Sequence, residues 1–326
     1  MSTPKRVVGW IVGLLVLPVT GLWLLVAQPL CTWHGRSAAR ADPEALRRHV
    51  ELLSKTFAPR TYTEATNMAR CVAWLDARFK DAGATVTHQT YAVGHTPCCN
   101  VSALFPGADA RRIVVGAHYD AAVGTPGADD NASGVAALVE LARLLRGARL
   151  RHTVELVAYC TEEPPCFASE NMGSSHHAKA LQDQGVKVDA MIALEMVGFF
   201  SDAPGSQLFP VPVLRLFYGS RANFIGVIGD LHQRALIRSV KRAMKGSTPL
   251  PVKSCAAPAF LPGIDLSDHR SYWAYGIPAA MVTDTAFCRN SAYHQSGDTA
   301  DTLDYARMAD VVVGVYEAVL SLAQPR

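Results

Sequence analysis

Two imidazoles and a group of carboxylates stand at the ends of short apolar runs in this chain. Ile113-Val114-Val115 lead through Gly116-Ala117 to His118, Tyr119 and Asp120. Past a turn at Pro126-Gly127 come Asp129-Asp130-Asn131, and an apolar helical pattern opens at Val135. The run RHTVELVAYC, Arg151 to Cys160, ends in Thr161-Glu162-Glu163-Pro164-Pro165, where the prolines forbid simple continuation of a strand. MIALEMV, Met191 to Val197, contains one charge, Glu195, and a carboxylate in an apolar strand is costly unless paired or bound to a metal. After a last apolar run, Ala279 to Thr283, the chain reads Tyr293-His294-Gln295-Ser296-Gly297-Asp298. Taken singly these have plain structural readings: His118 and His294 as loop residues, Asp129-Asp130-Asn131 as a helix cap, Glu162-Glu163 as a solvated acidic loop, and His269 as a structural histidine. Taken together, two imidazoles and three carboxylates suit two divalent cations. Zinc is preferred, with manganese or cobalt as substitutes. Two cations bring four positive charges and three ligating carboxylates three negative ones, so a bound hydroxide makes the set neutral.

The elements that must position these groups form an α/β pattern. Short buried runs of the parallel-strand type alternate with amphipathic helices. Asp42 caps Pro43 at a first helical position, and Leu46, Val50, Leu53 and Phe57 follow at helical spacing. Met68, Val72, Leu75 and Phe79 mark a second helix; Val135, Leu138, Leu141 and Leu145 a third. Leu231 to Met244 reads as another, and Tyr305 to Leu322 as the last. Ala84 to Val93 and Asn100 to Phe105 read as strands, paired antiparallel, and Phe224 to Ile228 as a further strand. The expected architecture is three layers, α/β/α, around a mixed, mostly parallel sheet. His118, Asp130, Glu162, Glu163, Glu195 and His294 then fall at or after C-terminal strand ends, the edge where open α/β sheets bind ligands.

The N-terminus is of another kind. Lys5-Arg6 precede a run from Val7 to Leu30 without a charged residue, enough helix to cross a bilayer core of about 30 Å. Basic residues before it place the N-terminus in the cytoplasm and the rest outside. Cleavage as a signal peptide is the competing reading, and it would make the protein secreted. Residues 1–30 are thus expected to be an anchor, 31–41 a linker and 42–326 a single catalytic domain, periplasmic or extracellular. A formal net charge of +3 is too small to call for nucleic acid as a partner.

The blocks GAHYD, PGADDNASG, the Glu-Glu pair after a strand, LEMVG, SDH and YHQSGDTADT resemble the co-catalytic dizinc exopeptidases, which include bacterial leucyl aminopeptidases, aminopeptidase Y and glutamate carboxypeptidase. The resemblance runs from about Asp42 to the C-terminus and is weakest between Gly198 and Pro262. It implies that Asp130 bridges two zinc ions, with His118 and Glu195 completing one site and Glu163 and His294 the other. Glu162 is then the general base, acting on a hydroxide held between the metals. Asp120 orients His118, Asp298 supports His294 similarly, and Asp129 is a neighbour of the bridge and no ligand. Many members carry Asp where Glu195 stands. The implied activity is removal of N-terminal residues from peptides. Rival readings are a single-zinc acyltransferase resembling glutaminyl cyclases, and a non-catalytic receptor-type binding domain, which would be expected to lose ligands or base.

Two further expectations concern the surroundings. The Gly198 to Pro262 region is expected to build the side-chain pocket. Cys160 and Cys166 flank the Glu-Glu loop, and in an oxidising compartment a bridge between them would rigidify it; Cys71, Cys98, Cys99, Cys255 and Cys288 supply further thiols.

Overall fold

The computed structural model describes residues 20, 21, 23–31 and 35–324. The strands are β1 (Thr85–Val93), β2 (Thr96–Phe105), β3 (Asp109–His118), β4 (His152–Tyr159), β5 (Val188–Glu195), β6 (Ile225–Gly229), β7 (Val252–Ala256) and β8 (Ala279–Thr283). They form one sheet in the order β1-β2-β4-β3-β5-β8-β6-β7. The centre, β4-β3-β5-β8, is parallel, β1 and β2 are antiparallel, and β6 runs antiparallel to β8 and parallel to β7.

Alternation along the central strands explains why helices cover both faces. Ile113, Val115 and Ala117 of β3 and Ala190, Ile192 and Leu194 of β5 belong to the larger core cluster, whereas Val114, Met191 and Ala193 belong to the other. Period-2 side chains that are apolar on both faces cannot be left to water on either. The larger core is closed by α1 (Pro43–Glu51), α2 (Ala65–Asp81) and α3 (Gly134–Leu145). On the other face lies α4 (Gly173–Asp183), through Ala178 and Leu181. The larger core is completed by α5 (Arg234–Met244) and α6 (Tyr305–Ala323). The start of α1 is as expected: Asp42 accepts the Glu44 N–H at 2.9 Å and Pro43 stands first in the helix. Asp304 caps α6 by accepting the Arg307 N–H.

Helix α4 and strand β7 have no counterpart in the sequence expectations. The sequence of α4, GSSHHAKALQD, buries His177 and two serines on its inner face, so its apolar period is faint. Strand β7 is a five-residue edge strand containing Lys253.

Most of the run expected to span a membrane, Val7 to Val19, lies outside the described residues. Among the described residues no helix is long and apolar enough to cross a bilayer. The end of that run packs on the domain: Lys241 Nζ donates to the carbonyls of Ala27 (2.7 Å) and Gln28 (3.1 Å).

Candidate metal centre

Strand β3 ends on His118, and β5, its parallel neighbour, ends on Glu195. Glu162 and Glu163 follow β4 on the other side of β3, and Asp130 lies in the loop entering α3. Chain order reverses here, since β4 lies on one side of β3 and β5 on the other, which opens a crevice at the carboxyl edge.

The loop carrying Asp130 is shaped by its neighbours. Asp130 (φ −102°, ψ 94°) and Asn131 (φ −128°, ψ 41°) are not helical, so α3 begins only at Gly134. Asn131 Oδ1 accepts the N–H groups of Gly134 and Met196 at 3.1 Å each, and its Nδ2 donates to the Leu194 carbonyl at 2.8 Å. The capping role weighed for this triplet thus falls to Asn131, which also ties the loop to the end of β5. A Cβ on Gly134 would come within 2.4 Å of Asn131 Oδ1 and 2.7 Å of the Leu194 carbonyl, so only glycine fits. Arg60, fully buried, donates to the carbonyls of Leu53, Tyr119, Pro126 and Gly127 and clamps the turn before Asp130.

Five side chains converge as expected from the sequence. His118 Nε2 lies 3.3 Å from Asp130 Oδ1 and 3.3 Å from Glu195 Oε2. His294 Nε2 lies 3.1 Å from Asp130 Oδ2 and 3.2 Å from Glu163 Oε2. Asp130 therefore presents one oxygen to each set. Glu162 Oε2 is 3.8 Å from His118 Nε2, slightly further out. Non-glycine residues in the left-handed region stand beside three of these groups: Thr161 (φ 65°), Met196 (φ 46°) and His294 itself (φ 56°). Such conformations cost of order 1–3 kcal/mol and gather at functional sites.

Asp120 lies 3.3 Å from His118 Nδ1, the place expected for an orienting carboxylate. Its two oxygens also accept the N–H groups of Glu162 (3.1 Å) and Glu163 (3.0 Å). Asp298 differs from expectation. Rather than pairing with His294, it accepts the N–H groups of Asp129 (2.8 Å) and Asp130 (3.1 Å). Asp129 accepts from the Gly198 N–H and from Asn290, which accounts for a buried carboxylate that is no part of the cluster. Ser267 Oγ donates to Glu195 Oε2 at 2.8 Å. Of the SDH block, Asp268 is buried and His269 is structural, its Nε2 donating to the Ile264 carbonyl at 2.8 Å.

The donor set fits divalent cations. Neither ring nitrogen of the buried His118 makes a hydrogen bond, nor does Glu163 Oε1. The 3.1–3.3 Å separations match the edge of a tetrahedron whose centre-to-corner distance is about 2.0–2.1 Å, as zinc requires. Burial, reinforced by neighbouring carboxylates, pushes Glu162 well above the ordinary glutamate range and Glu163 up to about 7. Burial would lower His294, but hydrogen bonds to Asp130 and Glu163 hold it at about 10. Asp130 is buried as well, yet the two imidazoles beside it keep it below the usual aspartate range. Without cations the cluster keeps protons that cations would displace.

Beside the cluster lies a cavity of about 470 Å³, walled by Glu195 and by Phe209, Val213, Leu214, Ile228 and Leu261, all from the expected pocket-building region. The thiols depart from expectation. Cys160 and Cys166 are both free and buried, as no disulfide forms among the eight cysteines.

Residues 100–319 match the sequence profile of Peptidase family M28. The chain is 44 % identical over 300 residues to the uncharacterized protein YfbL of Escherichia coli strain K12, covering 90 % of this chain and 92 % of that one. It is 27 % identical over 289 residues to leucine aminopeptidase 1 of Trichoderma harzianum, covering 83 % of this chain and 66 % of the relative. Among solved structures, BSAP, a zinc aminopeptidase from Bacillus subtilis, superposes with a TM-score of 0.71 at 14 % identity over 89 % of this chain and 97 % of that one.

Proposed function

The chain belongs to peptidase family M28 and is a zinc-dependent peptidase of the aminopeptidase kind, and on that premise we propose that it removes N-terminal residues from peptides at a site for two zinc ions. The observation that carries the number two is Asp130, whose Oδ1 faces His118 while its Oδ2 faces His294. His118 and Glu195 would hold one ion with it, and Glu163 and His294 the other, manganese or cobalt being substitutes. Bound there, the metal supplies Lewis acidity toward the scissile carbonyl and lowers the pKa of a water.

The protein's own groups do the rest. Glu162 takes a proton from the attacking water, holds it on its carboxyl and hands it to the leaving amine. Burial suits it to that task, since it raises proton affinity well above that of an ordinary glutamate. Asp120 positions His118 by its side chain and the Glu162-Glu163 pair through their backbone. The uncharged run that opens at Val7 supports a membrane anchor with the domain outside the cytoplasm, its end at Ala27 and Gln28 resting on the domain. Retention in the membrane pellet at alkaline pH tests the anchor, and release into the wash would refute it.

A panel of amino-acid amides with free and acetylated N-termini tests the main reading. Zinc-loaded enzyme should cleave the free series. Equal rates on the acetylated series would exclude a strict aminopeptidase.

A further inference from the structure

The cavity beside the cluster is larger and drier than one aliphatic residue needs. At about 470 Å³ it has roughly three times the ~150 Å³ of an apolar cavity that holds the six carbons of benzene. A leucyl side chain has four. Most of the polar side chains in its wall already have partners. Gln207 Nε2 donates to the Leu208 carbonyl and to Thr285 Oγ1. Tyr218 donates to the Ser254 carbonyl, Ser254 Oγ to the Ala27 carbonyl, and Lys253 Nζ to the Tyr218 carbonyl, with the Phe224 ring 3.9 Å away. Away from Glu195 and Lys253, a polar group entering here would lose water and meet only the weakly bonding Cys255 and Cys288 thiols; hydrocarbon loses nothing.

The wall is continuous with the metal centre, because Glu195 belongs to both. What fills the cavity is therefore attached close to the reacting carbonyl. The segment that supplies much of the wall also displays apolar side chains to the outside: Leu208, Val213 and Leu216 are 64 %, 51 % and 81 % exposed. Val26, at the end of the uncharged N-terminal run, completes the wall, and Trp23 stacks on Phe217 with centroids 6.1 Å apart. An apolar approach thus leads to an apolar cavity.

We propose that the cavity binds a long hydrocarbon chain carried on the acyl half of the scissile amide. The inference rests on the peptidase reading for the bond that breaks, and it names the substrate class. Water adds its oxygen to the acyl carbon, the C–N bond breaks, and the proton goes to the leaving amine, giving a long-chain acid and a free amine. Two sources share this chemistry: an α-amino acyl group with a long alkyl side chain, and a plain fatty acyl group. Each methylene that enters improves binding about fourfold until the cavity is full.

Two anilide series separate the sources, one from acetyl to tetradecanoyl and one from alanyl to 2-aminotetradecanoyl. Displacement of a fluorescent fatty acid by dodecanoate reads the cavity without turnover. kcat/KM is expected to climb about fourfold per methylene in at least one series; the amino series alone climbing identifies the α-amino source, the plain series alone the fatty acyl source. Ala257→Phe, and independently Leu261→Trp at the half-buried wall, should lower the ratio of dodecanoyl to acetyl turnover and weaken dodecanoate binding roughly tenfold, the equivalent of about two methylenes. A flat or falling profile in both series with leucyl anilide still cleaved overturns the inference and leaves the aminopeptidase reading intact. Dodecanoate binding without hydrolysis of any anilide by zinc-loaded enzyme supports the cavity and sinks that reading. Failure of dodecanoate to displace the probe overturns the inference outright.

Discussion

Asp298 accepts the backbone N–H of Asp130 at 3.1 Å through one oxygen while the other takes the N–H of Asp129. The carboxylate shared between the two histidines is thus held from a segment 168 residues further along the chain. Asp298→Ala strips the acceptor from two buried amides, each costing about 1–3 kcal/mol when unsatisfied, and frees Asp130 to turn from the imidazoles. Zinc affinity should weaken about 10–100-fold, read by chelator competition, with a lower unfolding midpoint. Asp298→Asn keeps one acceptor and should fall between. Wild-type affinity in the alanine variant would mean that the loop holds Asp130 unaided.

Glu162 differs from its neighbour in what it faces. Glu163 sits 3.2 Å from His294, while Glu162 approaches His118 only to 3.8 Å, in a looser set with His118 and Glu163 that lacks Asp130. Glu162→Gln should therefore keep its zinc and lose about 10²–10⁴ in kcat, the usual worth of a positioned acid–base group. Metal content and turnover measured on the same sample decide it, and full activity with full metal would remove Glu162 from the mechanism.

His118, Glu163 and Glu195 were legible because each stands at or just past the end of a short apolar run, which brings them to one edge. Asp130 and His294 lie in longer loops beyond strand ends and were picked out as ligands by the family resemblance. The two-faced sheet was legible for the same reason, since β3 and β5 are apolar at every position across their centres. What holds the cluster was hidden. Arg60 meets Pro126 and Gly127, Asn131 meets Met196, Ser267 meets Glu195, and no local pattern announces partners separated by 65 to 72 positions. Asp298 was visible as a residue, but which atom it would grip depended on the loop conformation at Asp130. Helix α4 escaped because His177 occupies an inner-face position, where it bonds Tyr272 and Glu155 in place of apolar packing.

His294 is the half-buried member of the cluster and belongs only to the set with Asp130 and Glu163. His294→Ala leaves His118, Asp130 and Glu195 together. Tightly bound zinc, counted by elemental analysis after dialysis, should fall from two per chain to one. The lost ion should be the one that exchanges faster in the wild type, because its ligand His294 is the more exposed imidazole. One ion in the wild type itself would contradict the two-ion site.

Stripped of metal, the folded chain holds more protons than the unfolded one over a wide range. Burial, added to by nearby carboxylates, lifts Asp298 from 3.8 to about 7 and Glu163 from 4.5 to about 7. A carboxyl raised in this way favours the fold while protonated, so its contribution fades as pH climbs from about 4 toward 7. His294 is lifted from 6.5 to about 10, so the stability it lends is whole below pH 6.5 and is lost as pH rises through about 10. The depressed Asp130 acts only below about pH 4, outside this window. These three shifts have the same sign, while His49 and His269, lowered by burial to about 4, and Lys241 and Lys253, lowered by burial to about 8, act against them. Between about pH 5 and about pH 9 the unfolding midpoint of the stripped enzyme should therefore fall relative to that of a stripped Glu163→Gln, His294→Ala variant. Zinc must displace the protons on Glu163 and His294, so its uptake should release protons and tighten as pH rises. Calorimetric titration in buffers of different ionisation enthalpy counts the protons released. Zinc uptake without proton release, or a stripped enzyme whose midpoint tracks that of the variant across this range, would show that the cluster is not protonated in this way.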